Sequence, residues 1–355
     1  MAAVSAQAHV MVRAPRPGDG RAVAALWREL WDVHEGWGGY PGAKDDATYA
    51  RVAARIEHEA RARQGSFALG RHLHLVATLA GEVIGQVEGW HDRYGVDVQT
   101  PSTCEVRSIV VAAGARHCGA GAALLRTLGD AASTVAQGST VLAAEVLEPN
   151  PAHAFYEKVG YTPVAYNLRT TTANARWPER ARTATARDAL PIAILESALA
   201  SRRKRVQDAR FDPPRAVDAS WLGAIAAHLQ NAEGQMPLEL VALDQTGAVR
   251  ACATLLVMTL DPPFLPIRRA ALARASIDPA VDPDELMPPL VELAAHLAAR
   301  HGAATLEITD LPPPSTPMYD AVRRIGTMAA TAAERVTVPW SRVVTRLVRP
   351  LPRPV

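Results

Sequence analysis

Two short runs carry residue types from which chemistry could be built. The first is Arg116-His117-Cys118-Gly119-Ala120-Gly121, between a strand-like stretch at Glu105–Val111 and a helix expected from 119 to 136. Glycines let a backbone turn tightly and approach a ligand closely. The unpaired N–H groups at the start of a helix point outward together, and the helix dipole adds positive charge there. The run is therefore an anion seat suited to a pyrophosphate, or else a glycine-rich turn that binds nothing. The second run, Asn150-Pro151-Ala152-His153-Ala154-Phe155-Tyr156-Glu157-Lys158-Val159-Gly160-Tyr161, begins about 35 residues later. It sets a tyrosine on a short helix that Gly160 is placed to end. Alone, Tyr156 reads as a core residue. The co-occurrence of the two runs, with a strand between them, makes it a candidate acid.

Together the runs resemble the GNAT superfamily of N-acetyltransferases, over roughly residues 10 to 170. That family's acyl-CoA motif has Arg or Gln, two residues, Gly, one residue, then Gly or Ala. Arg116, Gly119 and Gly121 match it, and Ala122-Ala123-Leu124-Leu125 continues the helix. Phe155 to Tyr161 matches the family's last helix and exit turn. The resemblance implies acetyl-CoA, or another acyl-CoA, as cofactor. Ile109, Val110 and Val111 would then offer backbone groups to the pantetheine arm, where two strands splay. Backbone N–H groups of Arg116, His117, Cys118, Gly119, Ala120, Gly121 and Ala122 would hold the pyrophosphate. Asn150 would contact the cofactor near its amide or sulfur end. Tyr156 would protonate the departing thiolate, since a tyrosine with a pKa near ~10 holds its proton at neutral pH.

The implied reaction is transfer of an acetyl group to a primary amine of a small molecule by direct attack. A backbone N–H on the splayed strand would stabilise the oxyanion. The alternatives are a protein or peptide acceptor, or a non-catalytic acyl-CoA-binding regulatory module. The amine must lose a proton, and Glu105, six residues before Val111, is the candidate base. It reads equally well as a solvated strand residue or a partner for Arg107. His34, His74 and His91 are reserve bases. Trp31, Trp37 and Tyr40, on the first helix and the loop after it, and Trp90 on a hairpin would wall the acceptor pocket, or else cap the core. Cys118 lies too far from the expected thioester position to be a nucleophile.

The elements that must position these groups follow from periodicity. Leu73, Leu75, Ala77 and Leu79 alternate on one face of a strand, and Ala80-Gly81 turns it into a hairpin ending near Trp90. Leu124, Leu125, Leu128, Ala132 and Val135 form a helical stripe. A similar order of elements recurs after about 165 residues. The fold class expected is α+β, as tandem GNAT-like domains, each a mixed, mostly antiparallel sheet flanked by helices. Residues 1–170 would be the catalytic domain, 171–187 a linker, 188–346 a degenerate second domain and 347–355 a tail. The second half lacks the cofactor loop. Its counterpart, Asp278-Pro279-Ala280-Val281-Asp282-Pro283-Asp284-Glu285, has no glycine and four carboxylates, which would repel a pyrophosphate.

Composition agrees with an ordinary two-domain globular chain. Of 355 residues, 48% are apolar and 21% charged. No apolar run is long enough to span a membrane. The first residues lack a secretory pattern, and Cys104, Cys118 and Cys252 suit a reducing cytoplasm. They have no metal-ligand spacing, so no metal is expected. Residues 171–215 hold ten Arg or Lys against five Asp or Glu, including Arg202-Arg203-Lys204-Arg205. An isolated run of four reads as a solvated helix face and does not favour nucleic acid as a partner. A small-molecule amine acceptor, no membrane, and a monomer or homodimer complete the expectation.

Overall fold

Leu73, Leu75 and Ala77 on one face of a strand can be hidden only by packing against an apolar stripe such as Leu124, Leu125, Leu128 and Ala132. The computed structural model, which describes residues 9–93, 102–136, 140–173, 175–205, 208–211, 217–231, 236–260, 264–314, 316–331 and 341–350, makes that pairing the core of the first half. The first half runs β1 (Met11–Arg13), α1 (Gly20–Gly36), α2 (Asp46–Arg63), β2 (Ala68–Leu69), β3 (His72–Leu79), β4 (Glu82–Arg93), β5 (Ser102–Val111), α3 (Ala120–Val135), β6 (Thr140–Leu147), α4 (His153–Lys158) and β7 (Thr162–Thr171). The second runs β8 (Ala181–Thr183), α5 (Ala189–Arg205), α6 (Ala219–Asn231), β9 (Leu238–Leu243), β10 (Val249–Thr259), β11 (Arg268–Ile277), α7 (Pro283–Arg300), β12 (Thr305–Leu311), α8 (Pro317–Thr331) and β13 (Ser341–Pro350). Apart from β2, the two orders coincide element for element, so the expected repeat is present.

The strands form one continuous sheet in the order β1-β3-β4-β5-β6-β13-β7-β12-β11-β10-β9-β8, with β2 beside β3. Among the described residues only β5 with β6 and β11 with β12 pair in parallel, and the other pairs are antiparallel. The fold is thus α+β and tandem, each half a mixed, mostly antiparallel sheet flanked by helices. At the centre the halves exchange their last strands. β13 lies against β6, from Val344↔Leu147 to Pro350↔Val141, and β7 lies against β12, from Thr305↔Thr171 to Leu311↔Tyr166. Leu168 of β7 is accordingly buried in the second-half core with Leu272, Leu290 and Ile308.

This exchange redraws the ends expected from sequence. The stretch read as a linker, 171–187, contains β8, because Ala181–Thr183 pairs with β9 and Arg182 is tied to Asp188 by two hydrogen bonds. The stretch read as a tail from 347 belongs to β13 up to Pro350, and residues 351–355 lie outside the described residues. The basic run on α5 is not a solvated face throughout. Arg203 is buried and donates to the Val164 carbonyl, and Arg202 donates to the Ile277 carbonyl and Ser276. Just beyond α5, Arg210 is fully buried between Asp208 (2.7 Å) and Asp310 (2.9 Å), a paired charge of the kind an interior tolerates. Among the described residues no helix is long and apolar enough to cross a membrane.

The α1–α2 layer covers the other face of the first-half sheet, packing Val23, Trp27, Trp31, Tyr49, Val52 and Ile56 onto Val76. Glu57 of α2 accepts from the N–H groups of Gly18 and Gly20 and so satisfies the open end of α1. A Cβ at Gly20 would lie 2.5 Å from the Ala53 carbonyl, so the close approach of α1 and α2 needs glycine there. The loop after α1 is clamped to the second half. Tyr40 donates to Glu307 (2.7 Å), Arg169 joins Glu307 to the Gly38 carbonyl, and Gly42 bridges to Phe264.

Candidate functional site

The site begins with a break in pairing. β5 and β6 are paired from Ser102↔Thr140 to Val106↔Ala144 and no further. On its other edge β5 pairs with β4, but the register slips between Glu88↔Ser108 and Gly89↔Val106, leaving Arg107 as a bulged residue. Bulges bend and twist a strand. Beyond Arg107, therefore, β5 leaves β6, and the β6-side backbone of Ile109, Val110 and Val111 has no ladder partner.

At the end of that strand the chain makes a 3-10 turn, Ala113–Ala115, and enters α3. His117 and Gly119 both have positive φ (68° and 86°), a backbone that glycine adopts without cost. Gly119 is the N-cap of α3, and no side chain caps the helix there. The first N–H groups of α3, at Ala120, Gly121 and Ala122, have no intrahelical acceptor and sit at the positive end of a 16-residue helix. His117, Cys118 and Gly119 are exposed. Arg116 folds back, its Nε on the Val111 carbonyl (3.3 Å) and its guanidinium on Glu29 (2.9 Å). The second glycine has a different cause: a Cβ at Gly121 would stand 3.2 Å from the Phe155 ring, so α4 can lie against the first turn of α3.

That contact brings the second sequence run to the same place. Asn150 accepts from the Ala152 N–H and so shapes the entry to α4. Tyr156 is buried, edge-on to Tyr161 (5.2 Å between centroids) and to Phe155 (5.5 Å), and burial raises its pKa above the usual tyrosine value. It therefore holds its proton at neutral pH. Glu105 is half-buried. Its neighbours Cys104 and Val106 belong to the core under α3, so Glu105 looks toward the α1–α2 face, opposite Trp90.

The four aromatics named from sequence are not gathered round one pocket. Trp31 is buried against Trp27, His34 and Phe264 of the second half. Trp37 lies beside His34, whose pKa burial lowers to about 4. Tyr40 is engaged at the junction, with Arg169 and Arg269 over its ring. Trp90 is partly exposed and lies beside His72.

A polar network not anticipated from the sequence lies under α2. Ser108 donates to Glu88 (3.1 Å) and accepts from Gln86 (3.0 Å). The other Glu88 oxygen lies 3.3 Å from His72 Nε2 and 3.9 Å from His74 Nδ1. His72 Nδ1 lies 3.3 Å from Glu59 and 2.8 Å from the buried Arg63 guanidinium. Burial opposes charge on His72, but Glu59 and Glu88 outweigh it and raise its pKa. Burial likewise favours a neutral Glu88, yet His72 and the nearby charge of Arg55 hold its carboxyl below the usual range. His74, fully buried with no hydrogen-bond partner for either ring nitrogen, is lowered to about 4 by desolvation and is neutral. The alternation of polar residues at 72, 74, 86 and 88 was the available signal, but alternation reads as a solvent face unless a second layer covers it. Glu59, His72 and His74 bring one ligand atom each within 4.8 Å, but Arg63 already supplies the positive charge at that spot.

The second half builds the same splay and closes it. β11 and β12 pair only from Ala270↔Leu306 to Leu272↔Ile308. There Arg202 occupies the Ile277 carbonyl, Asp278 accepts from the Ala280 N–H and from Arg250, and Asp282 caps α7 by accepting from the Asp284 N–H. Pro283 removes another donor from that first turn. A helix end capped by its own carboxylate offers nothing to a phosphate.

The comparisons with known proteins fall on this geometry. Residues 70–163, from β3 through α4, match the family model described as acetyltransferase (GNAT) domain. No curated protein matches the chain by sequence. Over nearly the whole chain the structure is similar to the crystal structure of a GCN5-related N-acetyltransferase from Sphaerobacter thermophilus, at 15% identity and a TM-score of 0.55, covering 96% of each chain. It is also similar to the structure described as a GCN5-related glucosamine N-acetyltransferase region of a fungal multi-domain GH3 β-N-acetylglucosaminidase. That match has 14% identity and a TM-score of 0.55, and covers 98% of this chain and 39% of the other. The match to the GNAT acetyltransferase domain model thus covers residues 70–163, in a chain whose two halves repeat one order of elements.

Proposed function

We propose that the protein is an acetyl-CoA-dependent N-acetyltransferase whose one active site lies in the first half, and that it acetylates a primary amine of a small molecule. The observation that carries the reading is the contrast between two helix starts. α3 begins at a glycine with no side-chain cap, and α7 begins under its own aspartate. The residues of the first half fit a pyrophosphate: open N–H donors at the start of α3, a helix dipole, and exposed positive-φ backbone at His117 and Gly119. Ile109, Val110 and Val111 would take the pantetheine arm along the unpaired edge of β5, with Asn150 near its sulfur end.

When bound, acetyl-CoA supplies the acetyl group as a thioester. Tyr156, kept protonated by burial, gives its proton to the sulfur as it leaves. A backbone N–H at the splay donates to the carbonyl oxygen as that atom gains charge. The acceptor's proton goes to a carboxylate on the α1–α2 face of the sheet. Glu105 is the one read from sequence, and Glu88 is the buried alternative. Trp31, Trp37, Tyr40 and Trp90 belong to the surroundings of the acceptor, and the clamp of the α1–α2 loop onto the second half favours a small acceptor over an extended peptide. The second half, from about residue 188, serves as a structural partner without a cofactor loop. The cysteines, all free, suit a cytoplasmic protein.

The test is a screen of amines, glucosamine among them, with acetyl-CoA, following free thiol. Acceptor-dependent thiol release supports the proposal. Acetyl-CoA binding without turnover on any amine overturns it in favour of a binding module.

A further inference from the structure

Resting on the reading above, we infer that Ser108 and Glu88 form the route by which the acceptor amine loses its proton, with His72 and Glu59 as the positioning groups behind Glu88. Ser108 is the first residue past the β5 bulge, where β5 leaves β6, and Ile109, the first of the residues assigned to the pantetheine arm, follows it. Its hydroxyl is already aligned as a donor to Glu88 and is fixed on the other side by Gln86. Behind Glu88, His72 and Glu59 continue the chain of contacts to the less buried side of α2. The groups facing Glu88 are Arg55, Glu59 and Arg63 from α2, His72 and His74 from β3, and Ser108 from β5. Of these, His72 and Arg55 hold it as a carboxylate.

The second half is an internal comparison. Counted from the bulge, Cys252 stands where Glu88 stands and Val241 where His74 stands, and Ser276 is the counterpart of Ser108. The Ser276 hydroxyl is spent on the Leu195 carbonyl and receives Arg202. The network is present in the half with the open cofactor loop and absent from the half whose loop is closed.

In the step, the acceptor N–H bond breaks as Ser108 Oγ takes the proton and passes its own to Glu88 Oε2. The electron pair left on nitrogen forms the new N–C bond. The C–S bond breaks, and its pair leaves on sulfur, which takes the Tyr156 proton. The acylated nitrogen gives its second proton to water, and Glu88 and Tyr156 then exchange protons with water, which restores both, so that one proton is released for each amide formed from an ammonium.

The experiment uses the full-length chain with the best alkylamine from the screen, comparing Ser108→Ala, Glu88→Gln and Glu105→Gln. For the first two, kcat at pH 7 falls by about 10²- to 10⁴-fold, the usual worth of acid–base assistance. The deficit shrinks as pH rises toward the amine's own pKa, because the amine then arrives neutral. The acetyl-CoA Kd, by calorimetry, does not change. Independently of turnover, the His72 ring pKa followed by NMR falls in Glu88→Gln, since a carboxylate that raises it is gone. Ser108→Ala carries the test if Glu88→Gln does not fold. A deficit equal at every pH, or one confined to Glu105→Gln, overturns the relay while leaving the acetyltransferase reading intact. A wild type that turns over no amine overturns both.

Discussion

Leu168 tests whether the two halves are one cooperative unit. By sequence it belongs to the first half, yet it is 2% exposed and packed in the core of the second, on a strand held between β12 and β13. Replacing it with alanine removes its transfer free energy and leaves a cavity that tightly paired strands cannot close. The expected cost is about 2–5 kcal/mol, a large part of a stability of ~5–15 kcal/mol. Because β7 and β13 are exchanged, the loss should reach both halves. Native-state hydrogen exchange reads this strand by strand. In Leu168→Ala, the slowest amides of β3 and β4 and those of β9 and β10 should lose the same free energy of protection. Loss confined to β9–β12, with β3–β5 unchanged, would mean instead that the halves unfold separately despite sharing strands.

Two further predictions concern single groups. Glu239 is largely buried beside Glu196, and desolvation pushes its pKa up to about 7 from an ordinary 4.5. A raised folded-state pKa gives stability that is complete below 4.5 and lost as pH rises through about 7, a loss of about 3 kcal/mol. Urea unfolding of Glu239→Gln should therefore show a flatter profile from pH 5 to pH 8.5 than wild type, and parallel profiles would contradict the assignment. Gly119 has φ 86°, and a Cβ there meets nothing within 4 Å, so alanine brings backbone strain without a clash. Gly119→Ala should cost about 1–2 kcal/mol in stability or in acetyl-CoA affinity, and Gly119→Asn less, since asparagine tolerates this backbone. Equal effects from the two substitutions would remove the conformational explanation.

Much of the fold could be read from local pattern because local pattern determines it. The stripe at Leu124, Leu125 and Leu128 gives α3, the alternation at Leu73 and Leu75 gives β3, and the strand-turn-helix at Arg116 gives the open end of α3. The strand exchange could not be read. β7 and β13 are each strands of ten residues that follow a helix, and nothing in either states which of two equivalent edges it will join. The same limit hid the network at Glu88. Polar residues at alternate positions look like a wet face, and only the layer of α1 and α2 makes them an interior. Arg202 and Arg203 show the converse. A run of four basic residues reads as solvated, but buried carbonyls of the neighbouring strands take two of its guanidinium groups. Even the asymmetry of the halves was legible only in part: the carboxylates of 278–285 were visible in the sequence, but not that Asp282 would turn back and cap α7.

On the proposed function, one of two similar folds in this chain kept its seat for a pyrophosphate. Calorimetric titration of acetyl-CoA into wild type and Gly119→Glu tests it most directly. One binding site per chain is expected, abolished by a carboxylate placed at the open start of α3. Wild type that binds nothing, that binds at two sites, or that keeps its affinity in Gly119→Glu would contradict it.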